Sequence, residues 1–581
     1  MSFFETASLV LISDFAAASA SAVSGSGTNT GKAYSIKPTD GSGDFDFERG
    51  SDIIATRVNS SGLIEKGRGN FLLQSNNFDT TWSKNNVNLT GSQSGYDGSN
   101  DAWILRKTGT TGAINQTVSS LTNLQTFSIY AKPGDLNWIR IIRAGKSIYV
   151  DLENQVTGST ISGGIIDIKI TPINEWSRIS LTINQTSTNT VIYPADGDND
   201  INGTSGFIYI QDAQLEQGLV ATDFIETTTA PLRAGLLEDE PRFDYHNSAS
   251  ATPNTCPSLL LEPSRANLLD QSEYFEGYLS FGVTLTTNYG TSPEGLQNST
   301  RVVFDDGGDA LYKSLSVGSG DETTSIYVKG TSGETIMFGK GASVASGDLY
   351  TLNGNWQRLT YSGTNLGAIF HITTYGGATA RDIEIYGAQL EEGSYPTSYI
   401  PTYGTAATRG ADDAEVVDNL TIGNGSEFGV YYEIDVERIT RQSSNPFIQI
   451  QFATANGSVG IKGASDASAN YIDLYGTTDF SESFSPLDMG AGIIKFFINY
   501  SSGTGDFYLN GTKYTGVISG PTSGCEIDSV YLVGAAYKLK AKQFLIFPEA
   551  LSDTDCEILT GATTYSSFAA MASALNYTVY E

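Results

Sequence analysis

Histidine is nearly missing from this chain. His246 and His371 are the only two in 581 residues. That leaves little material for histidine-ligated zinc or for a histidine-based catalytic triad. Cysteine is as scarce. Cys256, Cys525 and Cys556 lie far apart, so they form neither a disulfide framework nor a metal-spaced cluster. Positive charge is in short supply too. Lys plus Arg number 33 against 64 Asp plus Glu, for a net charge of −31. Such a surface repels nucleic acid and anionic membranes, and no basic stripe offsets it. No segment has the length and apolarity of a membrane-spanning helix, so no membrane insertion is expected. The stretch SLVLISDFAAASASA (8–22) resembles a signal peptide only superficially. It lacks a basic start, and Glu5 and Asp14 flank or interrupt its apolar run. No GxSxG, P-loop or HExxH motif is found.

What is abundant is Gly, Ser, Thr and Asn, together with 31 Tyr and 27 Phe. This is the composition of an all-β protein rich in turns. The length is enough for about three or four domains.

The organisation is set by a duplication. NFLLQSNNF (70–78) returns as NLLDQSEYF (267–275), and SIYAK (128–132) as SIYVK (325–329). EWSRISL (175–181) returns as NWQRLTY (355–361). AQLEQG (213–218) returns as AQLEEG (388–393), and TDFIET (222–227) as TSYIPT (397–402). The offset is 197 residues at the first two matches, 180 at the tryptophan match and 175 at the last two. One ancestral domain was copied, and its length changed between the matches, where surface loops tolerate it.

The expected fold is all-β: three antiparallel β-sandwich (jelly-roll) domains in tandem, with an extended N-terminal leader and a short C-terminal helix. Residues 1–68 are the leader, in which FDFE (45–48) alternates as a short strand. The first sandwich covers 69–229 and the second 265–409, with a connector at 230–264. GLLE (235–238) echoes GLIE (62–65), as if the first sandwich had been inserted into a leader that once ran straight into the second. A third sandwich covers 410–562. It lacks the repeat motifs, but FIQIQF (447–452) and YYEIDVE (431–437) alternate. Asn510-Gly511 marks a type I′ hairpin. A short helix is expected after a cap near Ser552. The tail at 563–581 places Phe568, Met571 and Leu575 on one helical face.

Candidate site residues follow from side-chain chemistry. Of the tryptophans, Trp176 and Trp356 share a repeat position beside a strand and are expected to pack in the core. Trp82 and Trp138 have no tryptophan counterpart in the second copy and are the candidates for stacking on a glycan. Asp196, Asp198 and Asp200 alternate in a turn and are candidate calcium ligands, calcium being a hard ion that takes several oxygens. The spacing lacks the distal glutamate of an EF-hand, and a plain acidic turn is the competing reading. Asp305, Asp306 and Asp309 repeat the idea more faintly. Glu216 and Glu391 are read as polar positions fixing the end of a strand. No catalytic residue and no cofactor other than calcium is expected, because carboxylate pairs are too common here to single one out.

The order AYSIKPTDGSGDFDFERGSDIIATRVNSSGLIE (33–65), PRFDY (241–245) with CPSLLLEPSRANLL (256–269), and GAQLEEGSYPTSYIPT (387–402) resembles a group of bacteriophage virion proteins. Their sandwiches resemble jelly-roll carbohydrate-binding modules, and the third unit resembles concanavalin-like or laminin-G-like sandwiches. The resemblance implies a structural protein of the virion exterior: a head fibre, a decoration protein or a tail-associated fibre. It implies attachment to other virion proteins through residues 1–68, a homo-oligomer, most simply a trimer, and contact with host-surface glycans. It implies no enzymatic activity. The alternative readings are a carbohydrate-binding adhesin module and a capsule depolymerase.

Overall fold

In the computed structural model the protein is almost entirely antiparallel sheet, with one short helix near the C-terminal end of the described residues. The structure describes strand backbone at 9–12 and 32–33 and then residues 44–561. Within that last range, 51–53, 122, 162, 238–239, 247–252, 255–256, 317–318, 377–378, 417–419, 421, 424, 440–445, 454–456, 464–470 and 534–536 are not described. Cys256 and the expected helical face of Phe568, Met571 and Leu575 lie outside the described residues. The chain divides into two units. One holds 1–65, 236–265 and 408–581, and the other holds 66–235 and 266–407.

The second of these contains both copies of the repeat. In the first copy one sheet runs Val156–Ile161, Lys146–Asp151, Trp138–Arg143, Ser187–Ala195, Ala113–Leu121, Ser83–Asn85. The other runs Ile165–Ile173, Trp176–Asn184, Leu124–Pro133, Phe207–Gln217, Ala102–Lys107, Val87–Gln93. The second copy has the same order with five strands per sheet. Its two missing strands are the counterparts of Val156–Ile161 and Ile165–Ile173. The fall in offset from 197 to 180 is therefore an added hairpin, one strand of which extends each sheet of the first copy.

The repeat motifs do identical work in both copies. Asn70 Nδ2 donates to the carbonyls of Ala213 (3.1 Å) and Ile225 (2.8 Å). Asn267 Nδ2 donates to Ala388 (3.1 Å) and Ile400 (2.8 Å). Glu216 accepts from the Thr222 amide at 3.0 Å, and Glu391 accepts from the Thr397 amide at 3.0 Å. These buried side chains close the backbone bonds of the chain ends that flank the last strand, which is why the motifs outlast the loops. Asp212 and Gly387 sit at the same bulge, both with positive φ (52° and 62°). A buried cation is kept at one core position while its chemistry changes. Arg143 Nε donates to Gln125 at 2.8 Å, and Lys340 Nζ donates to Glu322 at 2.9 Å.

The other unit holds the third sandwich, and its sheets are not built from 410–562 alone. Phe45–Glu48 pairs with Asp413–Val416, Ser258–Leu261 pairs with Tyr537–Phe547, and Leu9–Ile12 pairs with the same long strand. FDFE alternates as expected, with Phe45 and Phe47 buried in the core beside Leu259 and Leu261. Five charged groups from these segments are buried together. Arg242 pairs with Asp412 and with Glu262 (2.9 Å), Arg409 pairs with Glu262 (2.9 Å), and Arg49 pairs with Asp412 (3.4 Å). The described parts of the leader up to 65 and of the connector from 236 therefore fold together with the third sandwich.

Asn510 and Gly511 both take positive φ (47° and 82°) between Thr504–Leu509 and Thr512–Ser519, the geometry of a type I′ turn. Ser552 caps the helix Asp553–Thr560 by accepting from the Asp555 amide. Cys556 and Leu559 of that helix pack on Tyr431, Phe497, Tyr508, Leu545 and Phe547.

Candidate glycan-binding face

Side chains alternate between the two faces of a strand. In the sheet of the first copy, Ile139, Ile141, Ile148, Val150 and Ile192 point into the core. Trp138, Arg140, Tyr149 and Tyr193 therefore stand on the opposite face. Register brings them together: Arg140 lies directly across from Tyr149 on one side and from Tyr193 on the other, and Trp138 lies across from Asp151. The Arg140 guanidinium is 5.3 Å from the Tyr149 ring centre and 5.4 Å from that of Tyr193, a cation held between two π faces. Tyr149 is buried beneath, whereas Trp138, Arg140 and Tyr193 are half-buried and reach solvent. Arg140 Nε is buried without a hydrogen-bond partner. Burial pushes the Tyr149 hydroxyl upward in pKa, with Arg140 opposing and Asp198 and Asp200 reinforcing the shift.

The face is walled by two segments that the second copy lacks. One is the strand Val156–Ile161 of the added hairpin. The other is the turn at 196–203, which lies in the stretch where the offset falls by a further five residues. They meet at Asp198, which accepts from the Ser159 amide (2.7 Å) and hydroxyl (2.9 Å). A glycine is needed at the junction. A Cβ at Gly158 would sit 2.5 Å from the Trp138 ring and 2.7 Å from Asp198 Oδ1.

The three aspartates of this turn do not converge on a point. Asp196 pairs with Lys107 and accepts from the Gly203 amide. Asp198 is held by Ser159, and Asp200 accepts from the Asn202 amide (2.9 Å) and side chain (2.9 Å). Those bonds from Asn202 hold the Asp200 carboxyl below the usual aspartate range. Among the described residues no group of three His, Cys, Asp or Glu is placed to hold a metal. Asp196, Asp198 and Asp200, the candidate calcium ligands, are thus not brought together as a ligand set: each carboxylate accepts from a donor of its own. Asp306 and Asp309 likewise bond within their own turn.

Trp82 is also corrected as a stacking candidate. It is 2% exposed, packs 5.2 Å from Phe78 in the core and donates to the Gln74 carbonyl. Trp138 keeps its place on the open face. Trp176 is buried among Tyr96 and Tyr209, as expected of a core residue, but Trp356 is only half-buried and donates to the Thr291 carbonyl at 3.0 Å.

The same position in the second copy has lost this chemistry. Thr335, Met337 and Thr373 stand where Trp138, Arg140 and Tyr193 stand, and Leu349 pairs with Met337 as Tyr149 pairs with Arg140. The turn at Ser346 and Gly347 lies over Gly339, where a Cβ would fall 2.6 Å from it.

A further group of ionisable residues went unnoticed in the sequence, because its members are far apart and carry no motif. Lys66 Nζ lies 2.8 Å from Glu273 and 3.0 Å from Glu294. Tyr386 and Tyr399 donate to the same carboxylates. Burial opposes the ammonium charge, but Glu273 and Glu294 outweigh it and hold Lys66 well above the ordinary lysine value. Both carboxylates are sealed from solvent, so the group is a structural tie and not a cleft.

No family model matches the chain, and no curated protein does. Similar solved structures include the N-terminal CBM22-1-CBM22-2 tandem domain of Xyn10C from Paenibacillus barcinonensis, at 10% identity and TM-score 0.20, covering 59% of this chain and 98% of that one. Domain 4 of AbnA, a GH43 extracellular arabinanase from Geobacillus stearothermophilus in complex with arabinotriose, is 13% identical with TM-score 0.19, over 26% of this chain and 73% of that one. The sialidase of Trypanosoma rangeli in complex with sialic acid is 8% identical with TM-score 0.18, over 89% of this chain and 99% of that one. At scores this low the face rests on its own geometry.

Proposed function

We propose that this chain is a glycan-binding structural protein of a phage virion surface, a head fibre, decoration protein or tail-associated fibre, and that its first sandwich carries the binding face. The observation behind the binding is the cluster of Trp138, Arg140 and Tyr193, half-open to solvent and walled by two segments special to that copy. Half-exposed aromatics offer an apolar surface to a sugar ring, and fixed polar groups beside them orient it. Core positions of the duplicated domain are preserved while this face has diverged, as expected when one copy bears the ligand. The virion role is supported by the motif order alone.

Binding without turnover is part of this reading. The carboxylates at the wall of the face, Asp198 and Asp200, accept hydrogen bonds from Ser159 and Asn202, a setting for an ionised carboxylate and not for the protonated acid that hydrolysis of a glycosidic bond needs. Attachment to the particle falls to the leader. Within it Leu9–Ile12, Lys32–Ala33 and Phe45–Glu48 are strands of the third sandwich, so attachment is assigned to the rest of residues 1–68.

Isothermal titration of the full chain against glycans prepared from host envelopes tests the binding. Binding by the parent protein and its loss in Trp138→Ala support the reading, and equal binding by both refutes it. Cryo-electron microscopy of intact particles tests the location, with density for this chain expected on the exterior.

A further inference from the structure

We infer that the face on the first sandwich selects uncharged sugars and rejects carboxylated or sulfated ones. The inference rests on the glycan-binding reading above and adds the class of ligand to it.

The argument is one of charge placement. Among the described residues of this face, Arg140 is the only cation, and its charge is already spread over the Tyr149 and Tyr193 rings. Three carboxylates lie on the face or at its wall. Asp151 is across the strand from Trp138, Asp198 is held by Ser159 of the bordering strand, and Asp200 lies in the same turn as Asp198. Asp196, the fourth, is cancelled by Lys107. An anionic sugar would thus meet a local excess of negative charge, inside a chain whose net charge is −31. Repulsion at such distances is felt at partly desolvated positions, where salt screens poorly.

The same groups suit a neutral polyol. Asp198 directs one oxygen at the Ser159 amide and the other at its hydroxyl, which leaves lone pairs on both for sugar hydroxyl donors. Arg140 supplies the donor side through the half-exposed end of its guanidinium, whose five N–H groups exceed the one hydrogen bond it gives to Ser147 Oγ (3.4 Å). A sugar hydroxyl is donor and acceptor at once, so acceptor carboxylate and donor guanidinium can both be satisfied by it. A sugar carboxylate is acceptor only and satisfies Arg140 while leaving the aspartates opposed.

The test is a glycan array probed with the full chain. It carries neutral gluco-, manno-, xylo- and galacto-oligosaccharides beside galacturonic, glucuronic, sialylated and sulfated ones. The array is repeated with Trp138→Ala, Arg140→Gln and the double variant Asp198→Asn/Asp200→Asn. Asparagine keeps one acceptor oxygen for the Ser159 amide and for both Asn202 donors, and at 198 its Nδ2 can donate to the Ser159 hydroxyl, so the double variant is expected to retain the fold. The expected result is binding confined to neutral glycans, little changed between 50 and 500 mM salt and lost in Trp138→Ala. The double variant should gain acidic ligands, with roughly five- to tenfold stronger binding than the parent. Preferential binding of acidic glycans, abolished by Arg140→Gln, would overturn the inference and leave the glycan-binding reading intact. Binding to no glycan, or equal binding by Trp138→Ala, would overturn both.

Discussion

Asp198 and Ser159 join the two segments that distinguish the first copy of the duplicated domain from the second. The carboxylate accepts from both the amide and the hydroxyl of Ser159, at 2.7 and 2.9 Å. Neither residue has a counterpart in the second copy. Two separate additions therefore meet at one point beside Trp138, and that point walls the face on which Arg140 stands between Tyr149 and Tyr193.

Gly158→Ala should close this face without unfolding the domain. A methyl group there meets Trp138 and Asp198 inside 3 Å, yet the strand lies at the edge of its sheet. We expect glycan binding to fall more than tenfold with a change in melting temperature of only a few degrees. Calorimetric titration and thermal unfolding measure the two effects separately.

The two tryptophans singled out in the sequence should separate by phenotype. Trp82→Ala removes a fully packed core side chain and should cost about 3–5 kcal/mol of stability. Trp138→Ala should cost less than about 1.5 kcal/mol and abolish binding instead. Chemical denaturation of the two variants, set beside their glycan titrations, checks the split. Equal destabilisation by both would contradict the placement of Trp138.

Asp412→Ala should be among the most damaging single changes in the chain. It removes the partner of Arg242 and of Arg49 and the acceptor for the Glu262 amide. Two guanidinium groups would be left buried with less compensation, at a cost of about 3–5 kcal/mol. Urea unfolding monitored by tyrosine fluorescence of the third sandwich gives the value.

Asp212 makes the first sandwich lose stability as pH rises toward neutrality. Burial is the largest cause of its shift. Nearby Asp101, Asp97 and Glu226 add to it against the Tyr96 hydrogen bond, and the carboxyl is pushed up to about 7. Between the usual value near 3.8 and about 7 the folded protein holds this proton and the unfolded chain does not. Stability contributed by the group is thus present below that window and lost across it. Asp212→Asn, which tolerates the positive φ of the bulge, should flatten the dependence and raise the melting temperature at pH 7. A pH series of thermal melts for parent and variant decides it.

Deleting residues 1–60 should unfold the third sandwich, not merely release the protein from its particle. The deletion removes Phe45, Phe47 and Arg49, which are buried in that unit. Deleting 1–8 spares all three and also the strand Leu9–Ile12 that pairs with Tyr537–Phe547, and is the informative test of attachment. Incorporation into particles should be lost while the melting transition of the remainder shifts by no more than a few degrees. Normal incorporation of this truncation would place the attachment elsewhere.

The sequence by itself determined the all-β class, the duplication, the strand boundaries at the repeat motifs, the Asn510-Gly511 hairpin and the Ser552 cap. Each is a local signal: alternation at period two, a turn residue that tolerates positive φ, or a motif held by short-range hydrogen bonds. The offsets even fixed where the first copy had grown, at 17 and then five residues, without saying into what. Only tertiary structure decided that Phe45–Glu48 and Ser258–Leu261 complete the third sandwich, because strand pairing across hundreds of residues leaves no trace in either partner alone. Trp82 and Trp138 look alike as letters. Their roles separated only when pleat and register put one in the core and the other on the open face. Asp196, Asp198 and Asp200 alternate as ligands would, but two of them accept from donors brought from elsewhere in the fold, Lys107 and Ser159, and the third from Asn202 of its own turn. Burial and partner choice are properties of the folded neighbourhood, and a carboxylate's role follows from what reaches it first.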